Sequence, residues 1–161
     1  MIWQTRSIDS AATERLGELL GRLMRGGETV ELVSDLGGGK TTFVRGLARG
    51  YGSRDTVASP TFTINKIYKS RTGQIHHFDF YRLNEPGVLT DQLAESLGNP
   101  KAVTVVEWSD IVKDVLPQDR ITVNLRPVAG NSEARDIGIS YTARSSSIIK
   151  KLETDWQASK P

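Results

Sequence analysis

A chain of 161 residues is long enough to bury one hydrophobic core and too short for two ordinary ones. Its 21 basic and 19 acidic side chains nearly cancel, so despite a pI of 9.0 the net charge of +2 is too weak to grip RNA directly, and any RNA is expected to be held by another protein. The lack of cysteine excludes disulfides and thiolate metal sites, and with no apolar run of about 18 residues and no signal-peptide order in Met1-Ile2-Trp3-Gln4-Thr5-Arg6, a soluble cytoplasmic protein without a membrane partner is expected.

Ala12, Leu16, Leu19, Leu20 and Leu23 recur at helical spacing behind Ser10, a predicted N-cap, and the pattern stops at Gly26-Gly27. Residues 29–33 form a short, β-branched apolar run of the kind expected in a buried parallel strand. A glycine cluster follows, and then Phe43, Val44, Leu47 and Ala48 continue at helical spacing up to Gly50 and Gly52. Residues 61–68 and 74–80, rich in β-branched and aromatic side chains, flank the turn Ser70-Arg71-Thr72-Gly73 and predict a β-hairpin. Pro86 is the predicted start of a helix reaching about Leu97, which Gly98-Asn99-Pro100 breaks before a strand at 102–106. Two more strands are predicted after Pro117, at 120–125 and 134–142, joined by a Gly130-Asn131-Ser132 turn. A closing helix at about 147–157 carries Ile148, Ile149, Leu152 and Trp156 on one face, which should pack on its own domain. This order of elements predicts one three-layer α/β domain spanning 1–161, with a mixed sheet and antiparallel additions.

The segment Ser34-Asp35-Leu36-Gly37-Gly38-Gly39-Lys40-Thr41-Thr42 has the layout of a phosphate-binding loop. A strand that feeds a helix through glycines aims backbone N–H groups and the helix's positive end at one spot, so a nucleoside triphosphate is the first substrate to consider. Lys40 is placed to reach the β- and γ-phosphates, and the Thr41 hydroxyl to ligate the accompanying magnesium. The loop's usual first glycine is replaced by Ser34, which is tolerable if the backbone there stays in the β region.

Such a loop needs an acidic partner at the end of a neighbouring buried strand. Glu107 ends the run Ala102-Val103-Thr104-Val105-Val106, and Asp79 ends His76-His77-Phe78; a strand-end acid also serves simply to cap a helix or to pair with a lysine. Ser59-Pro60-Thr61-Phe62 lies where switch segments contact a γ-phosphate, although an ordinary turn has the same composition. His76 and His77 are adjacent, so in a strand they face opposite ways and do not share a metal. They read as structural, or at most as a hydrogen-bonding partner near Asp79.

With the loop, Ser59-Pro60-Thr61-Phe62, His77-Phe78-Asp79-Phe80-Tyr81-Arg82 and Glu107-Trp108 in this order, the chain resembles the TsaE family of bacterial tRNA threonylcarbamoyladenosine biosynthesis over about residues 10–139. The resemblance implies a P-loop NTPase fold with a mainly parallel sheet and an ATPase, weak alone, that supports threonylcarbamoyl transfer to the adenosine next to the anticodon. It implies ATP and Mg2+ as cofactors, TsaB and TsaD as partners, and tRNA contact only through them. Leu36, Gly37, Gly38, Gly39, Lys40, Thr41 and Thr42 would wrap the phosphates, with Thr41 and Glu107 on magnesium and Lys40, Asp79 and Glu107 as the catalytic set. Asp79 would orient the attacking water or support the metal shell. Ser10, Trp108 and Arg135 would lie beside the nucleotide.

Two other chemistries suit the same loop. A small-molecule kinase would use Asp79 as the base on an acceptor hydroxyl, but no arginine-bearing helical lid is evident. A scaffold that binds nucleotide without hydrolysing it needs nothing further. A GTPase is disfavoured, because Asn65-Lys66-Ile67-Tyr68 has Tyr68 where a guanine-reading aspartate belongs.

Overall fold

The structure is a computed structural model that describes residues 1–85 and 87–159. In chain order it runs β1 (Ile2–Ser7), α1 (Ser10–Leu23), β2 (Thr29–Val33), α2 (Lys40–Gly50), β3 (Asn65–Lys69), β4 (Gln74–Asp79), α3 (Leu89–Leu97), β5 (Ala102–Glu107), β6 (Ile121–Val128), β7 (Asn131–Ser140) and α4 (Ser146–Ala158). Among the described residues the strands form one sheet in the order β1-β7-β6-β2-β5-β4-β3. The centre β6-β2-β5-β4 is parallel, while β7 and β1 extend one edge and β3 the other in antiparallel fashion. Every residue of β5 is buried, as expected of a parallel strand covered on both faces.

Pleat alternation sorts the side chains into two layers around the sheet. Leu16 and Leu20 of α1, Phe43 and Leu47 of α2, and Leu152 and Trp156 of α4 pack against Val30, Leu32, Val105, Val123 and Ile139 on one face. On the other face Leu93 of α3 joins Phe78, Phe80, Val106, Val112 and Leu116. The result is the three-layer α/β arrangement with a mixed sheet.

α1 and α2 approach backbone to backbone. A Cβ added to Gly17 or Gly21 would stand 2.2 Å from the Phe43 carbonyl oxygen or 2.1 Å from that of Leu47. One added to Gly46 or Gly50 would stand 1.8 Å from the carbonyl oxygen of Glu14 or 2.0 Å from that of Glu18. Two glycines one turn apart on each helix therefore set the interhelical distance and with it the position of the helix that follows the phosphate loop.

Several boundaries differ from the sequence-based expectations. The N-cap of α1 is Asp9, whose carboxylate accepts from the Ala12 N–H at 2.7 Å, and Ser10 is the first helical residue. The β-hairpin forms, but its first strand begins at Asn65: residues 61–64 turn instead, ending at Ile64 with φ of 68°. The helix predicted to start at Pro86 runs Leu89–Leu97, and Pro86 itself lies outside the described residues. The turn between β6 and β7 is tighter than predicted, with Gly130 at φ of 78° and Asn131 already in the strand. β1 was not expected, because its inward face is Trp3, Thr5 and Ser7 rather than an apolar row. Among the described residues no helix is long and apolar enough to cross a membrane.

Candidate functional site

The parallel strands β2, β4 and β5 end side by side, with Leu32 opposite Glu107 and Glu107 opposite Asp79 in the ladders. A cleft of about 260 Å³ lies at this edge, lined by Leu36, Gly37, Gly38, Gly39, Lys40, Thr41, Thr42, Ser59, Thr61, Asp79, Glu107 and Trp108. Strand ends meeting the N-terminus of a helix are where open α/β sheets bind ligands.

The glycine loop owes its shape to its composition. Gly37 and Gly39 hold φ of 73° and 101°, a region that other residues rarely enter. Ser34 is not among the residues with positive φ, so a side chain at the loop's first position is accommodated. Gly38 also faces little room, because a Cβ there would fall 2.9 Å from the Asp35 carbonyl oxygen and would require the Ser34 hydroxyl, at 1.5 Å, to rotate away. Gly39 is the N-cap of α2 and no side chain caps that helix, so its first-turn N–H groups remain available to an anion.

Lys40 is buried at the head of α2 and donates from Nζ to the carbonyls of Ser34 and Asp35 at 2.9 and 3.0 Å. The ammonium stands 5.0 Å from the centre of the Trp108 ring. Burial lowers its pKa, opposed by the nearby charges of Glu107, Asp79 and Asp35. Trp108 itself has φ of 55°, and Tyr81 packs against it with ring centres 4.8 Å apart.

Both strand-end carboxylates are buried, and they are held differently. Asp79 accepts from the Thr61 hydroxyl at 2.7 Å and the Tyr81 N–H at 3.0 Å, while Ser59 Oγ stands 2.6 Å from Thr61 Oγ1. The Ser59-Pro60-Thr61 segment is thus tied directly to Asp79. Glu107 accepts from His77 Nε2 at 2.7 Å, and His77 is fully buried. His77, read from the sequence as structural or at most as a hydrogen-bonding partner near Asp79, bonds to Glu107, the residue opposite Asp79 in the ladder. His76 points the other way, to Ser96 Oγ at 2.8 Å, as adjacent strand residues must.

Arg135 grips the loop from outside the cleft. Its Nε donates to the Gly38 carbonyl at 2.8 Å and its Nη2 to that of Gly37 at 3.3 Å, while Nη1 donates to the Ser132 and Ala134 carbonyls. In a trans peptide N–H and C=O point oppositely, so holding the Gly38 carbonyl turns the Gly39 N–H away from the arginine. Ser10 does not line the cleft and is exposed at the start of α1. Thr13 of that helix does come near the loop, its Cγ2 standing 3.9 Å from where a Cβ on Gly39 would lie.

The donor set suits a triphosphate with its magnesium: uncapped helix amides and a buried lysine for phosphate, and a hydroxyl and two carboxylates for the cation. Among the described residues no cluster of three or more His, Asp or Glu is built to hold a metal unaided, whereas magnesium carried on phosphates takes only one or two protein ligands. Sequence reasoning missed the Tyr68 and Glu31 side chains that stand behind this site. Strand parity puts His77 on the face of Asp79, but the pairing of β4 with β5 that brings Glu107 there has no local signal.

The family described as "Threonylcarbamoyl adenosine biosynthesis protein TsaE" matches residues 7–137. The chain is 39% identical over 122 residues to the tRNA threonylcarbamoyladenosine biosynthesis protein TsaE of Treponema pallidum, covering 75% of this chain and 90% of that protein. It is 33% identical over 138 residues to its namesake from Bacillus subtilis, covering 86% and 84%. The crystal structure of Bacillus subtilis YdiB superposes with a TM-score of 0.79 at 27% identity, covering 96% of each chain.

Proposed function

Because the chain belongs to the TsaE family of tRNA threonylcarbamoyladenosine biosynthesis, we propose that it is a P-loop ATPase that binds and hydrolyses MgATP to support the threonylcarbamoyl transfer complex acting on the tRNA adenosine next to the anticodon. The observation that carries this reading is the convergence, in one cleft, of the glycine loop, the uncapped start of α2, Lys40 and two buried carboxylates from neighbouring strands. The loop amides and Lys40 hold the phosphates, with Leu36 at the rim of the cleft. Thr41 and Glu107 hold magnesium, which when bound neutralises charge on the β- and γ-phosphates. Asp79, fixed by Thr61 and the Tyr81 N–H, orients the attacking water. Trp108 and Arg135 keep the lysine and the loop in place.

Partners are proposed as TsaB and TsaD, with tRNA reached only through them and a cytoplasmic setting. The tie between Asp79 and Ser59-Pro60-Thr61 supports a conformational use of the γ-phosphate, in which turnover loosens the segment and resets the complex. The test is steady-state ATP hydrolysis by the chain alone and with TsaB and TsaD added, with Lys40→Ala as the blank. Stimulation by the pair that Lys40→Ala abolishes is the expected result. Tight ATP binding with no turnover in either condition replaces the ATPase with a nucleotide-binding scaffold.

A further inference from the structure

Behind the cleft a buried polar chain runs from Glu107 into the hairpin. Glu107 accepts from His77 Nε2 at 2.7 Å, His77 Nδ1 lies 3.2 Å from the Tyr68 hydroxyl, and that hydroxyl donates to the Ala58 carbonyl at 2.9 Å. Glu107, His77 and Tyr68 are all within 2% of complete burial. An ionised carboxylate only accepts, so the ring must present Nε2–H to it and leave Nδ1 as an acceptor; the single Tyr68 hydroxyl proton then lies between Nδ1 and the Ala58 carbonyl in a three-centre bond that restrains the ring's rotation. Burial raises the Tyr68 pKa and keeps its hydroxyl protonated. The same carbonyl immediately precedes Ser59-Pro60-Thr61, whose hydroxyls hold Asp79.

We propose that His77 and Tyr68 are positioning residues for Glu107: they fix one carboxylate oxygen so that the other faces the cleft, and they anchor the Ala58 end of the segment bonded to Asp79. This rests on the reading of Glu107 as the magnesium-side carboxylate. A buried histidine pair of this kind has a purely structural alternative, in which it fills the space between β3, β4 and β5 and contributes only stability. The two differ in what they do to magnesium. A carboxylate left free to rotate loses its preset orientation, and removing such outer partners costs about 10–100-fold in metal affinity. Nucleotide held by the loop without metal is unaffected.

The experiment is calorimetric titration of the full chain with the non-hydrolysable analogue adenylyl imidodiphosphate, in magnesium and in EDTA, for wild type, His77→Leu, His77→Gln and Tyr68→Phe. Affinity in EDTA should stay within about twofold of wild type while His77→Leu cuts the gain from magnesium by about tenfold or more. Tyr68→Phe should cut that gain by a smaller factor, and His77→Gln, whose amide can donate from a similar place, should recover it. In a Glu107→Gln background His77→Leu should change nothing further, because its effect passes through that carboxylate. Equal losses with and without magnesium, or full additivity with Glu107→Gln, overturn the proposal in favour of the structural role. Should His77→Leu fail to fold, Tyr68→Phe decides, and an unchanged magnesium gain there overturns the proposal. A wild-type chain that binds the analogue with no magnesium dependence overturns the reading of the site and the proposal with it. Wild-type dependence retained in every variant overturns the proposal alone.

Discussion

Glu31 lies on β2 with its side chain on the face away from α2, where Ser109 Oγ donates to it at 2.5 Å, Arg120 Nε at 2.7 Å and Thr122 Oγ1 at 2.8 Å. It therefore ties β2 to β6 and to the corner that follows Glu107 and Trp108. Burial alone would raise its pKa, but the bonds from Ser109, Arg120 and Thr122 and the charge of Arg120 outweigh it, holding the carboxyl below its usual range. A depressed folded-state pKa stabilises the protein above the unfolded value of about 4.3, and that stability disappears as pH falls through the folded value. Thermal melts from pH 7 down to about 3 should therefore show a shallower acid limb in Glu31→Gln than in wild type, and a loss of about 1.5–3 kcal/mol at pH 7, the scale of a hydrogen bond to a charged group. Arg135, by contrast, acts on the phosphate loop rather than on the core. Arg135→Ala should leave the thermal midpoint nearly unchanged and weaken nucleotide binding, measured by calorimetry, by about tenfold, the scale of a net hydrogen bond to a charged group.

The pair α1–α2 carries the phosphate loop's helix, and its glycines leave no room for a methyl group. Gly46→Ala would drive a Cβ to 1.8 Å from the Glu14 carbonyl oxygen, which neither backbone can avoid without the helices separating. A cost of about 1–3 kcal/mol in a urea titration is expected. Gly138→Ala, whose Cβ would meet no atom within 4 Å, is the control and should show no comparable loss. Strain is concentrated beside the cleft. Apart from glycines, the described residues with positive φ are Ile64 and Trp108, one closing the Ser59-Pro60-Thr61 turn and the other following Glu107. For a β-branched residue such as Ile64 this conformation costs about 1–3 kcal/mol, which the surrounding bonds, including the Asp79 N–H to the Ile64 carbonyl at 2.8 Å, must offset.

Across the whole molecule the two ends of the chain meet: β1 pairs with β7, the Met1 ammonium donates to the Tyr141 carbonyl at 2.9 Å, and Trp156 of α4 donates from Nε1 to Thr5 Oγ1 at 2.7 Å. Trp156→Ala should accordingly cost about 3–5 kcal/mol, a fall of roughly 10 °C in the thermal midpoint by scanning calorimetry. Elements whose signal is local are legible without the structure. The strand–glycine–helix run of β2 and α2, the amphipathic stripe of α1, the hairpin turn and the apolar face of α4 each follow from spacing within about a dozen residues. β1 was not legible, because an edge strand that faces the sheet interior with Trp3, Thr5 and Ser7 carries no apolar alternation. Nor were the helix cap at Asp9 and the start of β3 after Ile64, which depend on one hydrogen bond and one backbone angle. By itself, the sequence determined the chemistry on offer: a loop with glycines where only glycine fits, a lysine and hydroxyl beside it, and acids at the ends of apolar strands. The tertiary structure alone decided which acid meets which partner: the pairing of β4 beside β5, residues far apart in the chain, sets His77 against Glu107, and the pairing of β3 with β4 behind the turn that closes at Ile64 sets Thr61 against Asp79.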